Sequence, residues 1–244
     1  MKIKLSILTL TALLVAMTVS LKSSSKNKQE PSDSTYTTEW ATLSERVQLA
    51  KRQGKNRIIF PGPVGIPAIP GSFSKALEEY RVVVAQLIAQ KSYPRGETDI
   101  KTWNKFKVLD ELSQDYATDS YANSSAETLP EEIDQALLPI QENEFLAVQS
   151  GGVLNLDGVT VIQETSHYPL LSVNQKYLLI VEKSSSKMVK RMLSGPYGVF
   201  TITANNHLDP VGKETTPLSL DITRRYGRSL ERLKAKVSNR ASQQ

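Results

Sequence analysis

The period of the hydrophobic pattern changes several times along this chain, and each change predicts an element. Between Glu144 and Thr203, short β-branched and aromatic runs alternate with Gly-Gly, Asp-Gly, Ser-Ser-Ser and Asn-Asn. Turn residues at that spacing predict a small antiparallel sheet folding back on itself. Its strands are expected at Glu144–Gln149, Val159–Glu164, Lys176–Lys183, Lys187–Leu193 and Tyr197–Thr203. Asp157-Gly158 and Asn205-Asn206 supply two-residue hairpin turns. Tyr177–Val181 (YLLIV) is apolar at successive positions, so both its faces must be covered and it should be the most buried strand.

Upstream, Arg81–Tyr93 predicts a long strand, with Val83, Ala85, Leu87 and Ala89 on one face and Gln86 and Gln90 on the other. Pro94-Arg95-Gly96 turns the chain. Ile100–Leu112 pairs back, with Thr102, Asn104, Phe106 and Val108 facing inward and Trp103, Lys105 and Lys107 facing outward. Arg57–Phe60 is a further short strand. The PGPVGIPAIPG that follows excludes helix and central strand alike, which leaves an extended surface strap.

Helical periods occupy the remainder. Thr38–Gln53 carries a stripe of Trp40, Leu43, Val47 and Ala50, with Thr38 as cap, a basic last turn and Gly54 as stop. Ser72 caps a short helix through Tyr80. Ser113–Ala126 is polar and turn-rich, with a formal Asn123-Ser124-Ser125 sequon. Leu129–Leu138 is a short helix opening at Pro130. Leu220–Val237 is predicted as one amphipathic helix with the stripe Ile222, Tyr226, Leu230, Leu233 and Val237, expected to dock on the outside of the β domain, with a membrane or polyanion contact as the alternative.

The N-terminus changes the picture from fold to destination. Lys2 and Lys4 precede a largely apolar run from Leu5 to Val19, the form of a secretory signal peptide; an uncleaved membrane anchor through residues 5–21 is the alternative. The Ser- and Lys-rich Lys22–Thr37 reads as a tether. The resulting division is 1–21 targeting segment, 22–37 tether, 38–72 helix and strap, 73–212 β domain, and 213–244 basic C-terminal helix and tail. The expected location is periplasmic or extracellular, tethered to the cytoplasmic membrane if the segment is retained.

Charge and composition narrow the chemistry. The 244 residues contain no cysteine, so disulfides, thiolate nucleophiles and cysteine zinc sites are excluded. The formal charge is +5, and it concentrates in the C-terminal segment, where Arg224, Arg225, Arg228, Arg232, Lys234, Lys236 and Arg240 face only Glu231. No phosphate loop, dinucleotide fingerprint or nucleophile elbow occurs, and the two histidines, His167 and His207, are far apart. No catalytic residue, cofactor or metal ligand is therefore assigned. The candidate contact residues are Trp103, Lys105 and Lys107, an aromatic among lysines, and the arginines Arg224, Arg228 and Arg232 of the basic helix.

A helix, a long hairpin, an interrupting helix and further strands form an order that resembles the five-stranded Greek-key barrels of the OB type. VVVAQLIAQKSY, KYLLIVE, GPYGVFTI and RYGRSLERLK also resemble segments of a set of exported, uncharacterised bacterial proteins. The likeness covers Phe73 to Val237 and extends to netrin modules and tissue inhibitors of metalloproteinases. It implies a mainly β (α+β) fold: a small antiparallel OB-like barrel with flanking N- and C-terminal helices. The inhibitors chelate zinc through an N-terminal cysteine, which this chain lacks, so only the barrel carries over. The expected function is non-enzymatic binding or scaffolding of an envelope protein or polymer. OB-like nucleic-acid binding is the alternative, disfavoured by export, and an enzyme of unrecognised type ranks last.

Overall fold

A computed structural model describes residues 41–62, 69–113, 133, 136–165, 168–183, 188–192, 195–213 and 215–241, all within the unit Ser34–Gln244. The expectations for the targeting segment, the tether, Trp40, the centre of the proline-rich strap, the sequon and most of Leu129–Leu138 lie outside the described residues. Ala136 and Leu137, at the end of that last segment, form a turn. Among the described residues, no helix is long and apolar enough to cross a membrane.

The protein is mainly β, with two sheets and four α-helices among the described residues. The strands are β1 (Arg57–Pro61), β2 (Arg81–Arg95), β3 (Asp99–Glu111), β4 (Glu144–Ser150), β5 (Gly152–Leu156), β6 (Val159–Glu164), β7 (Lys176–Val181), β8 (Val189–Lys190), β9 (Val199–Ile202) and β10 (Leu208–Pro210). The larger sheet runs β10-β9-β7-β2-β3-β4-β8 and the smaller β1-β6-β5. The ladders do not form a closed ring. Past the end of β8, however, Met192 bridges back to Val181 on β7, and the Glu182 amide donates to the Arg191 carbonyl at 2.9 Å.

The two faces of the large sheet explain why its central strands are continuously apolar. On one face, Val82 and Val84 of β2, Leu178 and Ile180 of β7, and Phe200 and Ile202 of β9 form a cluster with the helices. On the other, Val83, Ala85 and Leu87 join Phe106, Phe145, Tyr177, Leu179, Val199 and Met192. Tyr177–Val181 is buried throughout, with β2 and β9 paired along its two edges, as the unbroken apolar run predicts. Register shifts at Val84/Ala85 and Leu87/Ala89 turn β2 part-way along, so Ala89 leaves the face it shares with Leu87 and packs beside Trp103.

The helices are α1 (Leu43–Arg52), α2 (Phe73–Glu79), α3 (Pro217–Tyr226) and α4 (Leu230–Ala241). Thr42, not Thr38, caps α1. Its hydroxyl accepts the Glu45 amide at 3.2 Å while Glu45 accepts the Thr42 amide at 2.8 Å, a reciprocal capping box that outcompetes a lone threonine upstream. Leu43, Val47 and Ala50 then cover Ile58, Phe60 and Val161 on the small sheet. Parallel pairing of β1 with β6 ties the segment before the strap into the sheet of the β domain.

Several predicted boundaries are corrected. β2 runs through Pro94 and Arg95 before it turns. Of the described residues of Lys187–Leu193, Val189–Lys190 are strand, and Tyr197–Thr203 begins as a 3-10 turn at Gly195–Gly198. Lys176–Lys183 stops at Val181. β5 and β10 were not expected. Asp157-Gly158 is a two-residue hairpin turn with both φ values positive, 51° and 80°. At Asn205-Asn206 only Asn206 has positive φ, and the turn is held by the Thr203–His207 backbone pair. The single C-terminal helix is two helices. Gly227 adopts φ +58° as the C-cap of α3 and its amide donates to the Ile222 and Thr223 carbonyls, a left-handed stop that ends the helix at Tyr226. The predicted stripe nevertheless docks: Ile222, Tyr226, Leu230 and Leu233 are buried in the helix-side core, and Val237 packs against it.

Candidate functional site

The aromatic–lysine cluster on β3 does not form a surface. Trp103 is 5% exposed and packs with Ile133, Leu137 and Leu146. Lys105 was expected to face outward; its side chain is 11% exposed and its partner Glu144 6%. The Lys105 ammonium donates to the Pro139 carbonyl at 2.6 Å and lies 2.9 Å from Glu144, whose carboxylate also accepts the Gln141 amide at 3.0 Å. The register explains the reversal. Lys105 stands opposite Leu146 on β4, and the 139–144 segment folds over that face and supplies the ammonium with acceptors. Burial raises the Glu144 pKa, but the Gln141 hydrogen bond and the charges of Lys105 and Lys107 outweigh it and leave the carboxyl below its ordinary value. Only Lys107 of the three is exposed. No base-stacking platform exists here, since the ring is buried.

The C-terminal cations have different fates. Arg228, itself at φ +57°, turns back: its Nε donates to the Thr223 hydroxyl at 3.0 Å and its guanidinium lies 3.7 Å from Asp209. Lys234 pairs with Asp110 on β3 at 2.5 Å. Arg224 is exposed and lines neither described cavity. Arg232, in contrast, comes together with Arg225 and Lys236, which had not been singled out, around a cavity of about 610 Å³ between α2 and the α3–α4 pair. Ser74 and Leu77 form its α2 wall, and Tyr226 and Val237 its apolar floor.

Local chemistry builds this cleft. Ser72 accepts the Lys75 amide at 3.2 Å and starts α2. Thr216 caps α3 in a reciprocal pair with Ser219, and Pro217 occupies the first turn. Asp221 joins the two helices, accepting the Phe73 amide at 2.9 Å with one oxygen and contacting Arg225 Nε at 2.7 Å with the other. Phe73 meets the Tyr226 ring edge-on, 5.7 Å between centroids. After the Gly227 stop, Ser229 accepts the Arg232 amide at 3.3 Å and α4 begins. Arg232 and Lys236 are one helical turn apart and share a face. An Arg232 terminal nitrogen lies 3.3 Å from where a Cβ on residue 227 would sit, so the glycine also leaves room for that guanidinium.

No carboxylate is among the described residues that line the cleft. The electrostatic result is a concave surface with three cations, of which Arg225 is paired with Asp221, two hydroxyl-bearing residues, Ser74 and Tyr226, and an otherwise apolar base, suited to an anion carrying an apolar group. The sequence signal was the i, i+4 spacing of Arg232 and Lys236. Arg225 was hidden because it reaches the cleft only through the helix break.

A second cavity, of about 290 Å³, lies where the sheets meet, lined by residues that include Ser150, Gln163, Tyr168 and Lys213. Burial pushes the Tyr168 hydroxyl well above its ordinary pKa, and the hydroxyl donates to Met192 Sδ at 3.5 Å. Among the described residues, no three His, Asp or Glu side chains converge as a metal-ligating set. In comparison with known proteins, no family model matches this chain and no curated protein matches it.

Proposed function

We propose that this chain is an exported, non-enzymatic protein that binds or scaffolds an anionic component of the cell envelope through the cleft of Arg225, Arg232 and Lys236. The observation that carries this reading is the convergence of three cations, Arg225 alone being paired with Asp221, on a concave surface with no carboxylate among its described lining residues. Long-range attraction brings a polyanion or anionic surface to such a cleft, and it weakens as salt shortens the screening length to about 8 Å at physiological ionic strength. The basic and apolar N-terminal run supports export.

The reading includes an OB-like barrel as the scaffold. Its support is the Val181–Met192 bridge, which would join the β8 end to β7 and complete a ring of β7, β2, β3, β4 and β8 around Leu87, Phe106, Phe145 and Leu179. In that ring the Glu182 amide, donated to Arg191, exchanges as slowly as the Leu146 amide donated to Met188. Free exchange at Glu182 beside a protected Leu146 would mean an open sheet.

Cell fractionation tests the function. The full chain should sit in the envelope fraction and be released by salt, with an Arg232→Gln/Lys236→Gln variant released at lower salt. A reporter fused after Thr37 that is active only in the cytoplasm would overturn export, and unchanged release of the variant would overturn the role of the cleft.

A further inference from the structure

Resting on that reading of the cleft, we infer that its ligand is a phosphate monoester or similar dianion bearing an apolar substituent. The charge count selects the dianion. Asp221 lies 2.7 Å from Arg225 and offsets its charge. Among the described residues, no ion pair neutralises Arg232 or Lys236, so the cleft presents a charge of two to its occupant. A phosphate monoester carries about −1.5 to −2 at pH 7, whereas a carboxylate carries one charge and leaves a cation unmatched.

The donor set agrees with the charge. Guanidinium groups form planar forks suited to phosphate oxygens, an ammonium acts as a point charge, and a hydroxyl donates a single bond. Arg225, Arg232, Lys236 and Ser74 place these groups around one cavity, matching the three acceptor oxygens of a phosphate ester. Asp221 bonds both the Phe73 amide and Arg225 and so ties the α2 wall to the α3 wall.

The apolar substituent follows from size and lining. A cavity of about 610 Å³ falls in the roughly 300–1,000 Å³ range of small-molecule sites, beyond what an inorganic anion fills. Leu77 and Val237 pack on the helix-side core and Tyr226 belongs to it, yet all three also line the cleft. An alkyl or ring group beside the phosphate would cover them.

The test is calorimetric titration of the purified full chain with octyl phosphate below its micelle concentration, inorganic phosphate and octyl glucoside, which has the same tail without charge. Octyl phosphate should bind saturably at one site. Inorganic phosphate should bind about tenfold or more weaker, and octyl glucoside not measurably. Arg232→Gln and Lys236→Gln should each weaken octyl phosphate about tenfold, the scale of one charge-assisted hydrogen bond. Leu77→Asn should weaken octyl phosphate and leave inorganic phosphate unchanged. Both charge variants alter exposed side chains, and an unchanged melting temperature verifies their fold. Vesicles of phosphatidic acid, itself a phosphate monoester, compared with phosphatidylcholine, separate the sources. Binding that the charge variants abolish identifies a lipid headgroup, and binding of octyl phosphate alone identifies a soluble phosphate ester; either supports the ligand class. Equal affinity for octyl phosphate and octyl glucoside, or unchanged binding by the double charge variant, overturns it. If the chain proves cytoplasmic but the titration holds, only the envelope assignment fails.

Discussion

Replacing Gly152 by alanine probes the joint between the two sheets. Gly151 and Gly152 carry the chain from β4 of the large sheet into β5 of the small one. A Cβ on Gly152 would lie 2.5 Å from both Ser92 Oγ and Thr102 Oγ1 and 2.8 Å from Ile100 Cγ2. Those two hydroxyls are 2.8 Å apart, Thr102 Oγ1 donates to the Gly151 carbonyl at 2.8 Å, and Ser92 Oγ accepts the Val153 amide at 3.2 Å. Neither hydroxyl can retreat without breaking one of these bonds. Overpacking costs about 1–3 kcal/mol, and each hydrogen bond lost adds about 1 kcal/mol. The expected destabilisation is therefore about 2–4 kcal/mol. Urea unfolding followed by tryptophan fluorescence measures it, with Trp103 buried near the joint's strand. A second variant, Gly152→Ala with Ser92→Gly, removes one of the contacted hydroxyls and should recover part of the loss. A cost below about 0.5 kcal/mol for Gly152→Ala alone would refute the close approach, because no relaxation open to these side chains is that small.

Leu179→Ala should cost about 2–5 kcal/mol in the same assay, since Leu179 is fully buried between β2 and β9; a loss below about 1 kcal/mol would place the strand at an edge. Truncation after Thr223 removes Tyr226, Leu230 and Leu233 from the helix-side core and should lower the melting temperature and increase binding of an apolar dye. An unchanged melting temperature would mean that the helix contributes nothing to the fold. Lys105→Met leaves the Glu144 carboxylate buried without its cation and should cost about 3–5 kcal/mol, more than the Lys105→Met/Glu144→Leu double variant, because the double variant strands no charge. The Glu144 carboxyl is depressed below its ordinary 4.5 in the folded state. Its stabilisation is therefore present above that value and lost as pH falls through the lower folded one. Acid unfolding of wild type and Glu144→Gln should converge at low pH, and parallel curves would contradict the assignment.

Elements whose pattern is local were legible in the chain. The β2–β3 hairpin, the buried run Tyr177–Val181, the turn at Asp157-Gly158 and the apolar stripe from Ile222 to Val237 each follow from period, turn chemistry and length, which neighbouring residues alone specify. The site was half legible: Arg232 was named from the charge of its segment, and Lys236 shares its helix face. Tertiary structure decided the rest. Whether Lys105 faces water or protein depends on the 139–144 segment crossing its face, a partner distant in sequence. The Gly227 stop is local, but the seat of the chain after it is not: the Leu208 amide donates to the Arg228 carbonyl at 2.7 Å and the Leu230 amide to the Asn206 carbonyl at 3.0 Å. The cleft depends on Asp221 reaching the amide of Phe73, 148 residues away in the chain. Periodicity reports which face of an element is apolar. It carries no information about which distant element will cover that face, and burial, charge pairing and concavity are set by that choice.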